Sequence, residues 1–230
     1  MCCKFGAKEK EEENNNQIIT DVSGNNSKDK DRLQNFPDPF KKEEDEKIKE
    51  MIEASENYPK AMIKILKNIR ENPSEYANFI EDSMDYIIEE NKNNEKIIFF
   101  KKHLKIRLFK GEEVFRKVAK ELKKMKAIQK LEENRALCVP LPNSISMLED
   151  KNYLKREVEK LRERNIRVDA YFKAVINIPE LSALMLMVDD IEDQHSGLRR
   201  KIILRRELNK VGISSGTVEG KFVAYFVFSK

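Results

Sequence analysis

The sequence predicts an α+β fold in which helices come first and a small antiparallel sheet is built late in the chain. Three observations carry this. Apolar residues recur at helical spacing in several segments between residues 58 and 188. β-Branched and aromatic residues gather in short runs after residue 170, ending in Phe222-Val-Ala-Tyr-Phe-Val-Phe228. A chain of 230 residues, 40 % of them apolar, is also long enough for one ordinary domain with appendages.

Residues 1–40 read as a tail. Asn14-Asn-Asn-Gln17, Gly24-Asn-Asn-Ser27 and scattered Lys and Asp leave little to bury, which is the composition of disorder. Residues 41–57 are highly charged, with only Ile48, Met51 and Ile52 along an apolar edge. They suit either a lightly packed helix or an exposed extension.

The folded domain is expected over residues 58–230. Met62, Ile63, Ile65, Leu66 and Ile69 form a helical stripe. Asn72-Pro-Ser-Glu75 then has a cap, a proline at the first helical position and a glutamate at the third, the pattern of a new helix. Its buried face is expected to hold Tyr76, Phe79, Ile80, Met84 and Ile87. Val114, Phe115, Val118, Ala119, Leu122 and Met125 define a third helix. Glu112 and Glu113 stand at its start and Lys123, Lys124 and Lys126 near its end, matching the helix dipole. Residues 153–165 predict a fourth, with Leu154, Val158 and Leu161 inward, and Pro179 opens a fifth that is mostly core. Strands are expected at 170–176, 208–214 and 222–228, the last buried on both faces. Gly216–Gly220 suits the hairpin joining the last two.

Composition also narrows function. Charged residues make up 37 % of the chain, yet the net charge is only +4, too little to imply nucleic acid. The basic character is local. Arg199, Arg200, Lys201, Arg205, Arg206 and Lys210 stand against Glu207, a local +5 that leaves −1 for the remainder. The three cysteines, Cys2, Cys3 and Cys138, cannot supply a multi-disulfide framework. No apolar run approaches the roughly 20 residues a membrane-spanning helix needs. Lys4 and Lys8-Glu-Lys-Glu-Glu-Glu13 leave no signal-peptide centre. A reducing, intracellular and cytoplasmic setting is the expectation, not secretion.

One stretch resembles a known family. Asp189-Asp190, Gly197-Leu198-Arg199, Ile202-Ile203-Leu204 and Val211-Gly212-Ile213 follow one another much as a helix-ending Asp-Asp, Gly-His-Arg, Ile-Leu and Val-Gly-Ile-Gly do in the CAP superfamily, also called SCP domains. Ile69-Arg-Glu-Asn-Pro-Ser-Glu-Tyr-Ala77 is similar to the first-helix ending of protist members. Leu108, Gly111-Glu-Glu-Val-Phe115 and Leu122-Lys-Lys-Met-Lys126 are similar to a helical segment inserted in them. The resemblance covers residues 62–230. It implies an α-β-α sandwich whose three-stranded antiparallel sheet is flanked by helices.

The resemblance argues against catalysis. The family's cleft gathers two histidines and two acids, and some members bind zinc there. This chain has only His103 and His195, and none near Pro142–Leu148, where the first cleft histidine belongs. Leu198 takes the position of the second, and an isobutyl group neither binds metal nor carries a proton. The family's Gly-Glu-Asn motif is missing as well; Val168-Asp-Ala-Tyr-Phe172 is the nearest match. No metal site, cofactor or catalytic residue is therefore expected. Asp189 and Asp190 are expected to receive backbone hydrogen bonds and offset neighbouring arginines. His195 reads as a loop residue and Cys138 as a half-buried structural thiol.

Two features remain. Cys2 and Cys3 resemble a dual-acylation site, and two acyl chains are what stable anchoring needs; Gly, which myristoylation requires, is absent at position 2. The basic run Arg199–Lys210 could face anionic headgroups or a protein, but no aromatic residues interleave with it as in single-strand binders. The expectation is a non-catalytic interaction or scaffold module with an unidentified protein partner. It would work at a cytoplasmic membrane face or in a cytoskeletal or ciliary assembly, without nucleic acid. Lipid or sterol carriage is the alternative, and a metal-dependent CAP hydrolase the lesser one.

Overall fold

The computed structural model describes residues 57–90, 95–100, 104–190 and 197–230. The expected tail and nearly all of the charged extension lie outside them. The described residues form a mixed α+β fold. In order these are α1 (Tyr58–Glu71), α2 (Pro73–Asp82), a 3-10 turn (Ser83–Tyr86), β1 (Ile87–Glu90), β2 (Glu95–Phe100), β3 (Leu104–Leu108) and α3 (Glu112–Lys123). There follow β4 (Glu132–Glu133), a 3-10 turn (Arg135–Leu137), α4 (Ile145–Glu149), α5 (Tyr153–Glu163), β5 (Ala170–Ala174), α6 (Pro179–Val188), α7 (Leu198–Ile203), β6 (Lys210–Val218) and β7 (Lys221–Ser229).

The last strand organises the core. β7 lies between β5 and β6, antiparallel to both, and every residue from Val223 to Ser229 is buried. Strand side chains alternate between faces. Ala224, Phe226 and Phe228 enter the larger core with α1, α2, α3 and α6. Val223, Tyr225 and Val227 enter a smaller one with Leu148 of α4 and Leu154, Val158 and Leu161 of α5. Helices thus cover both faces of the sheet. Phe172 stacks on Phe226 at 4.9 Å, and Tyr153 lies over Tyr225 at 6.0 Å. In α6 only Glu180 of the ten residues is exposed, the mark of a helix surrounded by core. Tyr58 of α1 joins it through a 2.7 Å hydrogen bond with Ser182. At the β6–β7 turn, Glu219 and Gly220 have φ of 46° and 83°, the two left-handed residues a tight hairpin needs.

Several expectations need correction. The late sheet has four strands, not three, because β4 runs parallel to the start of β6. Both β4 residues are exposed glutamates, so no apolar pattern announces them. The strand rests on backbone bonds to the β6 edge: Glu132 N–H to Asn209 at 2.7 Å and Asn134 N–H to Val211 at 2.9 Å. A separate three-stranded antiparallel sheet, β1-β2-β3, occupies the region after α2. Leu108, which the resemblance grouped with an inserted helical segment, ends β3. Short apolar runs suit a helix or a strand equally until their pairing is known. α2 stops at Asp82, where Ser83 Oγ donates to the Phe79 carbonyl at 2.6 Å, and Ile87 belongs to β1. Met84 and Ile87 still pack on the larger core. Asn72 heads α2, but its side chain donates to Asn68 at 2.9 Å and does not cap.

Candidate functional site

The corner where the family resemblance is densest is built from the end of α6. Asp189 follows that helix in the left-handed region, φ 50° and ψ 47°, and its N–H closes onto the Met185 carbonyl at 2.8 Å. Aspartate tolerates this conformation better than most residues. The turn sends Asp189 and Asp190 into the protein, where they are 1 % and 2 % exposed.

Buried carboxylates need donors, and each has them. Asp190 accepts the Lys110 N–H at 3.0 and 3.1 Å on its two oxygens and the Gly111 N–H at 2.9 Å. Gly111, with φ 62° and ψ −137°, begins α3, so the end of α6 is tied to the start of α3. Asp189 Oδ2 accepts the Arg199 N–H at 2.9 Å, and Oδ1 pairs with the Arg199 guanidinium at 3.3 Å. Burial pushes the Asp189 carboxyl up, against the opposing pull of the Arg199 charge and N–H, of Arg200 and of the Gly197 N–H. Arg200 donates to the Met187 and Val188 carbonyls at 2.9 and 3.0 Å and lies 3.5 Å from Glu121. It thereby satisfies the carbonyls that a helix end leaves open.

Leu198 is the exception, 51 % exposed at the first residue of α7. Phe109, next to the Lys110–Gly111 donors, is 38 % exposed, with the Arg107 guanidinium 5.7 Å from its ring centre. Two large apolar side chains therefore stand in solvent on segments held by adjacent aspartates. Sequence reading missed Phe109, because nothing local ties residue 109 to residue 190.

The basic run divides. Arg199 and Arg200 keep only 21 % and 11 % of their side chains exposed and serve the Asp189 corner. Lys201, Arg205 and Arg206 are exposed. Lys210 is half-buried at the start of β6, with its ammonium 3.4 Å from the Lys230 carbonyl. The loop that carries Arg205 is held from beneath by Arg70, whose side chain is fully buried. Its Nη1 donates to the Ile203 and Arg205 carbonyls at 2.9 and 3.1 Å, and its Nε to the Gln129 carbonyl at 2.8 Å. Burial lowers the guanidinium's proton affinity. Nη2 has no hydrogen-bond partner among the described residues.

Cys138 is half-buried, its thiol 3.7 Å from the Ile213 carbonyl. Cys2, Cys3, His103 and His195 lie outside the described residues. Among the described residues no three His, Cys, Asp or Glu side chains gather at metal-ligand spacing, and no helix is long and apolar enough to cross a membrane. Comparison with protein-family models, with curated proteins and with solved structures finds no match to this chain.

Proposed function

We propose that the chain is a non-catalytic interaction module of CAP-like build whose partner is another protein, with Cys2 and Cys3 as its membrane tether. One observation carries the proposal. At the corner where a cleft histidine belongs in the resemblance, Leu198 meets solvent at 51 % exposure while Asp189, Asp190, Arg199 and Arg200 are occupied by hydrogen bonds within the fold. Carboxylates saturated by backbone donors are poor proton carriers, whereas an exposed leucine at the start of α7, with exposed Lys201 one turn on and exposed Arg205 and Arg206 past the helix end, suits a protein surface. The CAP-like build is supported by chain order. α6 ends in Asp189-Asp190, Gly197 leads α7, and Val211-Gly212-Ile213 lies in β6 of a sheet with helices on both faces.

The test has two parts. A photo-crosslinking amino acid at position 198 of the full chain, expressed in the source cells, is expected to give one discrete protein adduct that disappears with Arg205→Glu/Arg206→Glu. Stoichiometric zinc in the purified protein, or hydrolysis abolished by Asp189→Asn, would overturn the reading. For the tether, wild type is expected to pellet with membranes and release with hydroxylamine, while Cys2→Ser/Cys3→Ser stays in the supernatant. Equal partition of the two would remove the anchor.

A further inference from the structure

α1 carries its charges in an unfavourable arrangement. Its solvent-facing lysines are Lys60, Lys64 and Lys67, spaced four and three residues apart and therefore stacked on one stripe. Like charges at that spacing repel and destabilise a helix. Lys60 also sits in the first turn, where the helix dipole disfavours a cation, and no acidic residue offsets it there. Two cations of other helices are paired within their own helix: Arg116 with Glu112 at 2.7 Å in α3 and Lys160 with Glu157 at 2.6 Å in α5. The three lysines of α1 form no ion pair with a described residue.

The same stripe lines a groove of about 450 Å³. Lys60, Lys64 and Lys67 form one side, Ile63 contributes apolar surface, and Lys130 reaches in from the segment after α3. The single carboxylate among the described lining residues is Glu71, held by Lys130 at 3.0 Å. Four ammonium groups thus surround a concave surface with one counter-charge. The position of Lys130 is built in, because Arg70 grips the neighbouring Gln129 carbonyl and the Arg70 carbonyl accepts the Ile128 N–H at 2.8 Å.

We infer that this groove docks an acidic peptide segment of another protein, laid along α1 with its carboxylates on Lys60, Lys64, Lys67 and Lys130. The three helical lysines span about 10 Å along the axis, which three to four residues of extended peptide or two turns of helix can match. Docked carboxylates would replace like-charge repulsion with attraction and would favour the helix N-terminus. A flat anionic bilayer fits less well, because the surface is concave and carries Glu71. Nucleic acid fits less well again, because neither arginine nor aromatic groups line the groove for phosphate forks or base stacking. The lysines that would bind the peptide are none of those invoked at the Leu198 corner, and only Arg70 braces both segments, so either reading can fail alone.

Fluorescence anisotropy of a labelled twelve-residue peptide of alternating Glu and Ala against the full chain tests it. Saturable binding is expected at low salt, weakened about tenfold between about 50 and about 300 mM NaCl. Lys60→Gln/Lys64→Gln/Lys67→Gln is expected to weaken it at least tenfold without lowering the unfolding temperature, since the change removes like-charge contacts. Arg205→Glu/Arg206→Glu is expected to bind like wild type. Three outcomes would overturn the inference. One is no saturation by about 1 mM peptide, or equal affinity in the triple variant. Another is tighter binding of phosphatidylserine vesicles or duplex DNA, lost in the same triple variant. The third is peptide binding only after Glu43→Lys/Glu44→Lys/Asp45→Lys/Glu46→Lys, which would make the chain's own acidic stretch the occupant.

Discussion

Replacing Asp190 by alanine should destabilise the protein while touching nothing on its surface. The Asp190 carboxylate is 2 % exposed and is the hydrogen-bond acceptor for two backbone donors eighty and seventy-nine residues away in sequence. Asp190→Ala leaves both N–H groups without a partner. A buried donor stripped of its acceptor costs about 1–3 kcal/mol. The bond from Gly111 is buried and those from Lys110 only partly so, so the second donor recovers some solvation. The sum is about 2–4 kcal/mol, a large share of the roughly 5–15 kcal/mol that stabilises a domain. Asp190→Asn keeps one oxygen and should lose about half as much. Urea unfolding at 25 °C followed by far-ultraviolet circular dichroism measures both. Amide exchange should accelerate first at the start of α3, where Gly111 loses its anchor. A loss below about 1 kcal/mol for the alanine variant, or no added exchange at residues 110–115, would refute the view that Asp190 joins α6 to α3.

Further outcomes follow from the same contacts. Gly212→Ala would place its methyl 2.6 Å from the Leu137 backbone and 2.8 Å from the Cys138 nitrogen. Thermal melts should show a loss of about 3 kcal/mol, whereas Gly216→Ala meets only the movable tip of Leu141 and should be near neutral. Burial pushes the phenols of Tyr58 and Tyr76 up, opposed at Tyr58 by its bond to Ser182 and reinforced at Tyr76 by Glu180. Their folded-state pKa values lie above the unfolded value of about 10, so this stability is complete below that pH and is lost as pH rises beyond it. The melting temperature should fall above about pH 10, with a shallower fall in Tyr76→Phe, which also removes a buried hydroxyl that has no hydrogen-bond partner among the described residues. Asp169 behaves oppositely. Burial raises its carboxyl, but the Arg167 hydrogen bonds and the Lys230 N–H outweigh this and hold it low. Its stabilisation is present above the unfolded value of about 3.9 and disappears as pH falls through the lower folded one. Asp169→Asn should flatten the acid limb of a melting curve against pH.

Much of the architecture was legible in the residues. The stripe of α1, the amphipathic face of α3, the mostly apolar α6 and the aromatic run of β7 each declare themselves within a few turns, because burial repeats at the period of the element. The Asp189-Asp190 corner could be located too, since a helix this apolar must end where two acids begin. Contacts between distant segments were another matter. β4 is two exposed glutamates whose only claim to strandhood is the edge of β6. The isoleucines and phenylalanines after α2 became a sheet through pairing that no single segment reveals. Arg199 and Arg200 look like the start of a basic surface until the α6 end turns them inward. Lys60, Lys64 and Lys67 look like an ordinary wet face until Lys130 closes a groove beside them. Local periodicity records which face of an element is buried. Which carbonyl, carboxylate or cation waits on the other side is decided by chain segments far apart in sequence, and only the packed tertiary structure brings those together.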